Sequence, residues 1–92
     1  MSVKALSWAW DMAEAYELDI YQAMVLLRLA DHANDQGSCW PGKDTLASKC
    51  RCSLRKVDVV IHQLASMDLL RVEHRSSGGR SMTNIYELNL NQ

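Results

Sequence analysis

Two adjacent cations, Arg55 and Lys56, open the stretch CSLRKVDVVIHQL, residues 52–64. Its apolar residues Val57, Val60, Ile61 and Leu64 recur at helical spacing, and Ser53 is placed to cap the helix. A helix N-terminus is the positive end of the macrodipole, so two cations in the first turn are mildly unfavourable on their own. A negatively charged partner from outside offsets that cost, and the peptide N–H groups of the same turn can hold a phosphate. The chemistry these residues offer is therefore the binding of a polyanion. Arg55 can grip a phosphate or a guanine through two N–H groups, whereas Lys56 acts as a point charge.

Other chemistries are poorly served. Three cysteines, Cys39, Cys50 and Cys52, fit a reducing compartment better than a disulfide framework. With His32, His62 and His74 they make six soft ligands, but no CxxC or HExxH spacing joins them, and no metal or other cofactor is expected. No nucleophile–base pair, paired carboxylates or phosphate loop stands out, so the chain reads as a non-enzyme. The longest apolar run, Ala23–Leu27, stops at Arg28, and no signal-peptide pattern opens the chain. The expectation is a cytoplasmic protein with no membrane partner. Ninety-two residues with 48% hydrophobic content suit one domain, spanning 1–92, with its own core. The net charge of −1 hides an asymmetry. Residues 1–42 hold two basic and six acidic side chains, net −4, and residues 43–80 hold eight basic and four acidic, net +4. Such a split is a weak sign of a polyanion-binding face opposite an acidic one.

The elements that must position these cations follow from periodicity and punctuation. Leu6, Ala9, Trp10, Ala13 and Tyr16 predict a first helix over 3–16. Asp19 and Gln22 form a capping-box pattern for a second, running to about Asn34 and apolar around most of its circumference. Turn chemistry ends it at 34–37, with Gly37 as the left-handed residue. Ser38-Cys39-Trp40 reads as a brief strand, which Pro41 keeps extended. A short helix covers about 43–50, Cys50-Arg51-Cys52 is a tight turn, and the helix opened by Arg55 runs to about Met67. The period then drops to two: Leu70, Val72 and His74 alternate with charged residues, as do Tyr86, Leu88 and Leu90 with their neighbours. SSGGRS (76–81) joins these two strands.

A helix, a short turn and a second helix, followed by a hairpin, make an α+β winged helix-turn-helix: a helical core with a C-terminal two-stranded β-hairpin wing. In that arrangement helix 53–67 enters the major groove of double-stranded DNA and the wing lies on the backbone or in the minor groove. Lys43, Lys49 and Arg51 become phosphate contacts. Ser53, Arg55 and Lys56 sit at the approach, Val59, His62 and Gln63 lie outward along the helix, and Arg75 and Arg80 flank the wing tip. Asp58, Leu54 and Val59 argue the other way, since a negative charge and exposed apolar residues suit a protein contact. The alternative is thus a winged helix repurposed for protein–protein contact, as an adaptor or inhibitor. A homodimer is a further expectation, with Trp8, Trp10 and Tyr16 as interface candidates.

Leu29 to Asn34 (LADHAN), Gly37, Cys39-Trp40-Pro41, Leu46-Ala47, Ser53 and Asn84-Ile85-Tyr86-Glu87-Leu88 form a pattern together with Trp8-Ala9. That pattern resembles the winged-helix domains of phage and plasmid replication proteins, including the N-terminal domain of lambdoid-phage replication initiators. The resemblance implies DNA binding within a replication-initiation or regulatory protein, with replication or host proteins as further partners. The sequence departs from the pattern at four places. Gly42 stands for a capping Ser, Lys56 for a frequent Thr, and Arg51 and Asp68 stand where the family has glycines. Arg51 must therefore adopt a left-handed backbone or shift the turn.

Overall fold

A computed structural model describes residues 2–74, 76–77, 80–81 and 84–91. Helix α1 spans Val3–Ala15 and α2 spans Ile20–His32. Strand β1 is Ser38–Cys39; α3 (Lys43–Lys49) and α4 (Leu54–Ser66) follow it. Strands β2 (Leu70–Glu73), β3 (Ser76–Ser77), β4 (Arg80–Ser81) and β5 (Ile85–Leu88) close the chain.

Local chemistry sets the helix ends. The Asp19 carboxylate accepts from the Gln22 N–H at 2.8 Å, and the Gln22 side chain accepts from the Asp19 N–H at 3.1 Å, completing the capping box. Ser2 caps α1 by accepting from the Ala5 N–H, and its buried hydroxyl donates to Asp35 at 2.9 Å, tying the start of the chain to the turn after α2. Three helices then end on left-handed residues that are not glycine: Glu17 (φ 49°), Arg51 (φ 56°) and Asp68 (φ 60°). At each the next N–H reaches back to the last turn, Leu18 to Ala13, Cys52 to Ala47 and Leu69 to Leu64. Repaid carbonyls of this kind offset the strain of the non-glycine conformation.

The core gathers Val25, Leu26 and Leu29 of α2, Leu46 of α3, Val57, Val60 and Leu64 of α4, Leu69 just before β2 and Tyr86 of β5. The α4 residues predicted to face inward do so. In α1 the register differs from expectation. Ala5, Trp8 and Ala9 are buried, Leu6 and Ala13 are half-buried, and Trp10 and Tyr16 point outward. The two apolar stripes of the helix share Ala9, and the face that packs on α2 is the one that continues through Ala5 and Trp8.

The wing has more strands than the predicted hairpin. Strand β5 is central, pairing antiparallel with β2 on one edge (Leu70↔Leu88, Val72↔Tyr86) and with β1 on the other (Ser38↔Glu87, Cys39↔Tyr86). At the tip, β3 and β4 form a separate two-stranded ladder, Ser76↔Ser81 and Ser77↔Arg80, within the segment expected to be only a connection. The buried Cys39 thiol donates weakly to the Tyr86 carbonyl at 3.7 Å, and burial pushes its pKa up to about 12, so it is a packing residue and not a nucleophile.

Gly37 (φ 86°) makes the β1–β5 junction. Its carbonyl accepts from the Leu88 N–H at 2.8 Å, and a Cβ there would stand 2.9 Å from the Leu88 carbonyl oxygen. Gly37→Ala should destabilise the fold by about 1–3 kcal/mol, read as a lowered midpoint in urea. An unchanged midpoint would show that the turn accepts a side chain.

Candidate nucleic-acid interface

Helix α4 sorts its side chains into four strips. One is the core strip just described. Opposite it run Arg55, Val59, His62 and Ser66, all exposed, at the i, i+4, i+7 and i+11 spacing of one helical ridge. Arg55 forms no ion pair among the described residues. The outward ridge thus starts with an unspent guanidinium and continues through an apolar residue (Val59, 42% exposed) and an imidazole.

The two flanks are tied to neighbouring elements. On one, Lys56 Nζ lies 4.8 Å from the centroid of the Tyr21 ring in the first turn of α2, and Gln63 Oε1 accepts from Gln22 Nε2 at 3.1 Å. On the other, Asp58 meets Lys43 at 2.5 Å. The Asp58 carboxylate, hydrogen-bonded to it, holds the Lys43 ammonium above the usual lysine value. The negative charge in α4 that argued against a polyanion partner is therefore neutralised within the fold, and Lys43 spends its charge in doing so. Ser53 is also engaged: its hydroxyl oxygen accepts from the Lys56 N–H at 3.0 Å as the cap of α4.

Lys49, at the end of α3, and Arg51, in the turn, are exposed and form no ion pair among the described residues. The first turn of α4 contains no acidic residue. The segment 49–56 therefore presents Lys49, Arg51, Arg55 and Lys56 with no carboxylate between them. Of the wing cations, Arg75 lies outside the described residues, and Arg80 is placed by its backbone in β4, opposite Ser77. Between α4 and the sheet runs an open groove of about 740 Å³. Asp58 and His62 line one wall, and Arg71, His74, Asn84 and Glu87 the other. Arg71 is bonded to Glu87 across β2 and β5, and His74 Nδ1 lies 3.2 Å from Asn84 Oδ1.

Tyr21 escaped the sequence reading. Its partner Lys56 lies two helices away, and an aromatic residue at a helix start has no local signature of such a contact. A cation held over an aromatic face loses little mobility when it meets an anion, so Tyr21 positions Lys56. Tyr21→Phe should keep the affinity for anionic partners within about twofold. Tyr21→Leu should lower it by about 0.5–1 kcal/mol, some two- to fivefold in titrations at fixed salt. Equal effects of the two replacements would assign Tyr21 another role.

The family model described as a helix-turn-helix domain matches residues 16–70, the stretch from the end of α1 to the first residue of β2. The chain belongs to this helix-turn-helix family. Over 81 residues it is 31% identical to protein YmfN of Escherichia coli (strain K12). That alignment takes in 88% of this chain and 18% of YmfN, so the chain spans less than a fifth of the curated relative it matches. No solved structure matches the chain significantly. The matched stretch takes in α2, α3 and α4, of which α3 and α4 are joined by the shortest turn, and the ridge Arg55–Val59–His62 is the outward face of α4. No helix among the described residues of this helix-turn-helix protein is long and apolar enough to cross a membrane.

Proposed function

We propose that residues 1–92 act as one winged-helix module that binds double-stranded DNA with sequence preference, laying α4 in the major groove and the β3–β4 tip on the backbone or in the minor groove. The observation that carries this reading is the exposed ridge of α4, headed by Arg55, which has no ion pair among the described residues, and bordered by Lys49, Arg51 and Lys56. In this arrangement Arg55 reads a base or a phosphate, Val59 meets a thymine methyl, and His62 lies further along the groove. Lys49, Arg51 and Lys56 contact phosphates, joined by Arg75 and Arg80 from the wing. Ser53, Lys43 and Gln63 support the interface from within the fold through the cap, Asp58 and Gln22. The module works without catalysis or cofactor, in the cytoplasm. The resemblance of LADHAN, CWP and NIYEL to phage and plasmid replication proteins supports a place in a replication-initiation or regulatory protein of such an element.

Selection of bound sequences from random duplexes tests the reading. Recovery of a shared motif several base pairs long supports it; recovery of unrelated sequences contradicts it. A protein partner is the second reading, favoured by Leu54 (53% exposed) and Val59 at the same end of α4. A partner retained from host lysate after nuclease treatment, and lost in a Leu54→Asp variant, would favour it.

A further inference from the structure

Helix α1 has a second face that the fold leaves uncovered. Its inner face packs on α2, which itself packs on α4. Outward stand Val3 (81% exposed) and Trp10 (62% exposed), with the small Ser7 between them. Along one edge of this strip lie Lys4 and Asp11, both exposed and neither in an ion pair among the described residues. Each pair, Val3 with Trp10 and Lys4 with Asp11, is separated by seven residues. Seven residues are almost two helical turns, so each pair lines up along the helix about 10 Å apart.

This strip is self-complementary. If two copies of α1 are laid antiparallel about a two-fold axis passing between residues 7 and 8, like edges meet. Lys4 then stands level with Asp11 of the second copy, and Asp11 with its Lys4. Trp10 falls level with the space between Val3 and Ser7 of the second copy, a hole of the kind that knobs fill in helix pairs. The residue at the crossing is serine, which lets the helices come close. Glu14 falls at the N-terminal end of the opposite α1, where the helix dipole favours a negative charge.

We infer that the outward face of α1 (Val3, Lys4, Ser7, Trp10 and Asp11) is the contact of a two-fold homodimer of this chain. The contact uses no residue of α4, so both α4 ridges are left out of it. Two ridges related by a two-fold axis suit an inverted pair of half-sites. A pair of 13-residue helices buries less than the ~800 Å² per partner of a standard interface, so the dimer forms at micromolar to millimolar concentration.

Sedimentation equilibrium of the 92-residue chain, from about 10 µM to about 1 mM, tests the contact. The expected weight-average mass rises from 10.4 kDa towards twice that value. Trp10→Glu should hold the mass at the monomer throughout. Lys4→Glu and Asp11→Lys should each weaken association about tenfold or more, and the double variant, which restores the pair with its signs exchanged, should regain most of the loss. A wild-type chain that stays monomeric at every concentration overturns the dimer. So does a Trp10→Glu variant that associates like wild type, or a double variant no better than the singles. None of these measurements uses DNA, so failure here and failure of duplex binding are separate results.

Discussion

Arg55→Ala should bind a selected duplex about 5- to 150-fold more weakly than the unaltered chain, a loss of about 1–3 kcal/mol. The guanidinium is exposed, forms no ion pair among the described residues and stands in the first turn of α4, where the dipole disfavours a cation. Removing it costs the fold nothing that the structure shows, and relieves up to about 1 kcal/mol of unfavourable charge–dipole interaction. Affinity and stability should therefore part: weaker binding with a thermal midpoint held or slightly raised. If Arg55 reads a base, the loss falls mainly on duplexes carrying that base, and preference relaxes at one position. If it grips a phosphate, every duplex weakens alike. Arg55→Lys separates the two further, because lysine supplies the charge but not the two-pronged hydrogen bond. Competition titrations at fixed salt read all three variants. An Arg55→Ala chain with unaltered affinity would remove Arg55 from the interface.

Leu64→Ala should have the largest effect on stability. Leu64 is fully buried in the last turns of α4, among the residues that join this helix to α2 and the sheet. Its carbonyl also accepts from the N–H groups of Met67 and Leu69, which close the helix at Asp68. Truncating a leucine in such a site costs the transfer energy of the lost atoms plus the cavity left behind, about 2–5 kcal/mol. Domains of this size are stable by only about 5–15 kcal/mol in all. The thermal midpoint should fall by on the order of 10–30 °C, followed by circular dichroism. Below the new midpoint the α4 ridge is intact, so duplex affinity at low temperature should change far less than for Arg55→Ala. A midpoint lowered by less than about 3 °C would mean that the core around α4 closes over the gap.

The helices were legible because their signals are local. Asp19 with Gln22, Ser53 before Leu54, and the inward spacing of Val57, Val60, Ile61 and Leu64 each place an end or a face to within a residue or two. The left-handed turns at Arg51 and Asp68 were legible from glycine positions of the resembling proteins; the one at Glu17 had no such marker. Helix α1 was placed but its register was not, since Trp8 and Trp10 both continue apolar stripes and only the packed α2 decides between them. The pairing of β1 with β5 was hidden because two residues carry no alternation to read. The site followed the same rule. Arg55, Val59 and His62 share an exposed ridge, as helix geometry requires. What sequence could not supply was the pairing across elements: Lys43 with Asp58, Lys56 with Tyr21, and Gln63 with Gln22. Those contacts leave Lys49, Arg51 and Arg55 without an ion pair among the described residues, and the proposed interface centres on segment 49–56 for that reason.

The central claim is that this set of cations neutralises DNA phosphates. The measurement that tests it most directly is the affinity for one duplex as a function of salt concentration. With Lys49, Arg51, Arg55 and Lys56 engaged and at least one wing arginine joining them, log affinity should fall against log salt with a slope of about −4 to −5. A slope near zero would contradict the account.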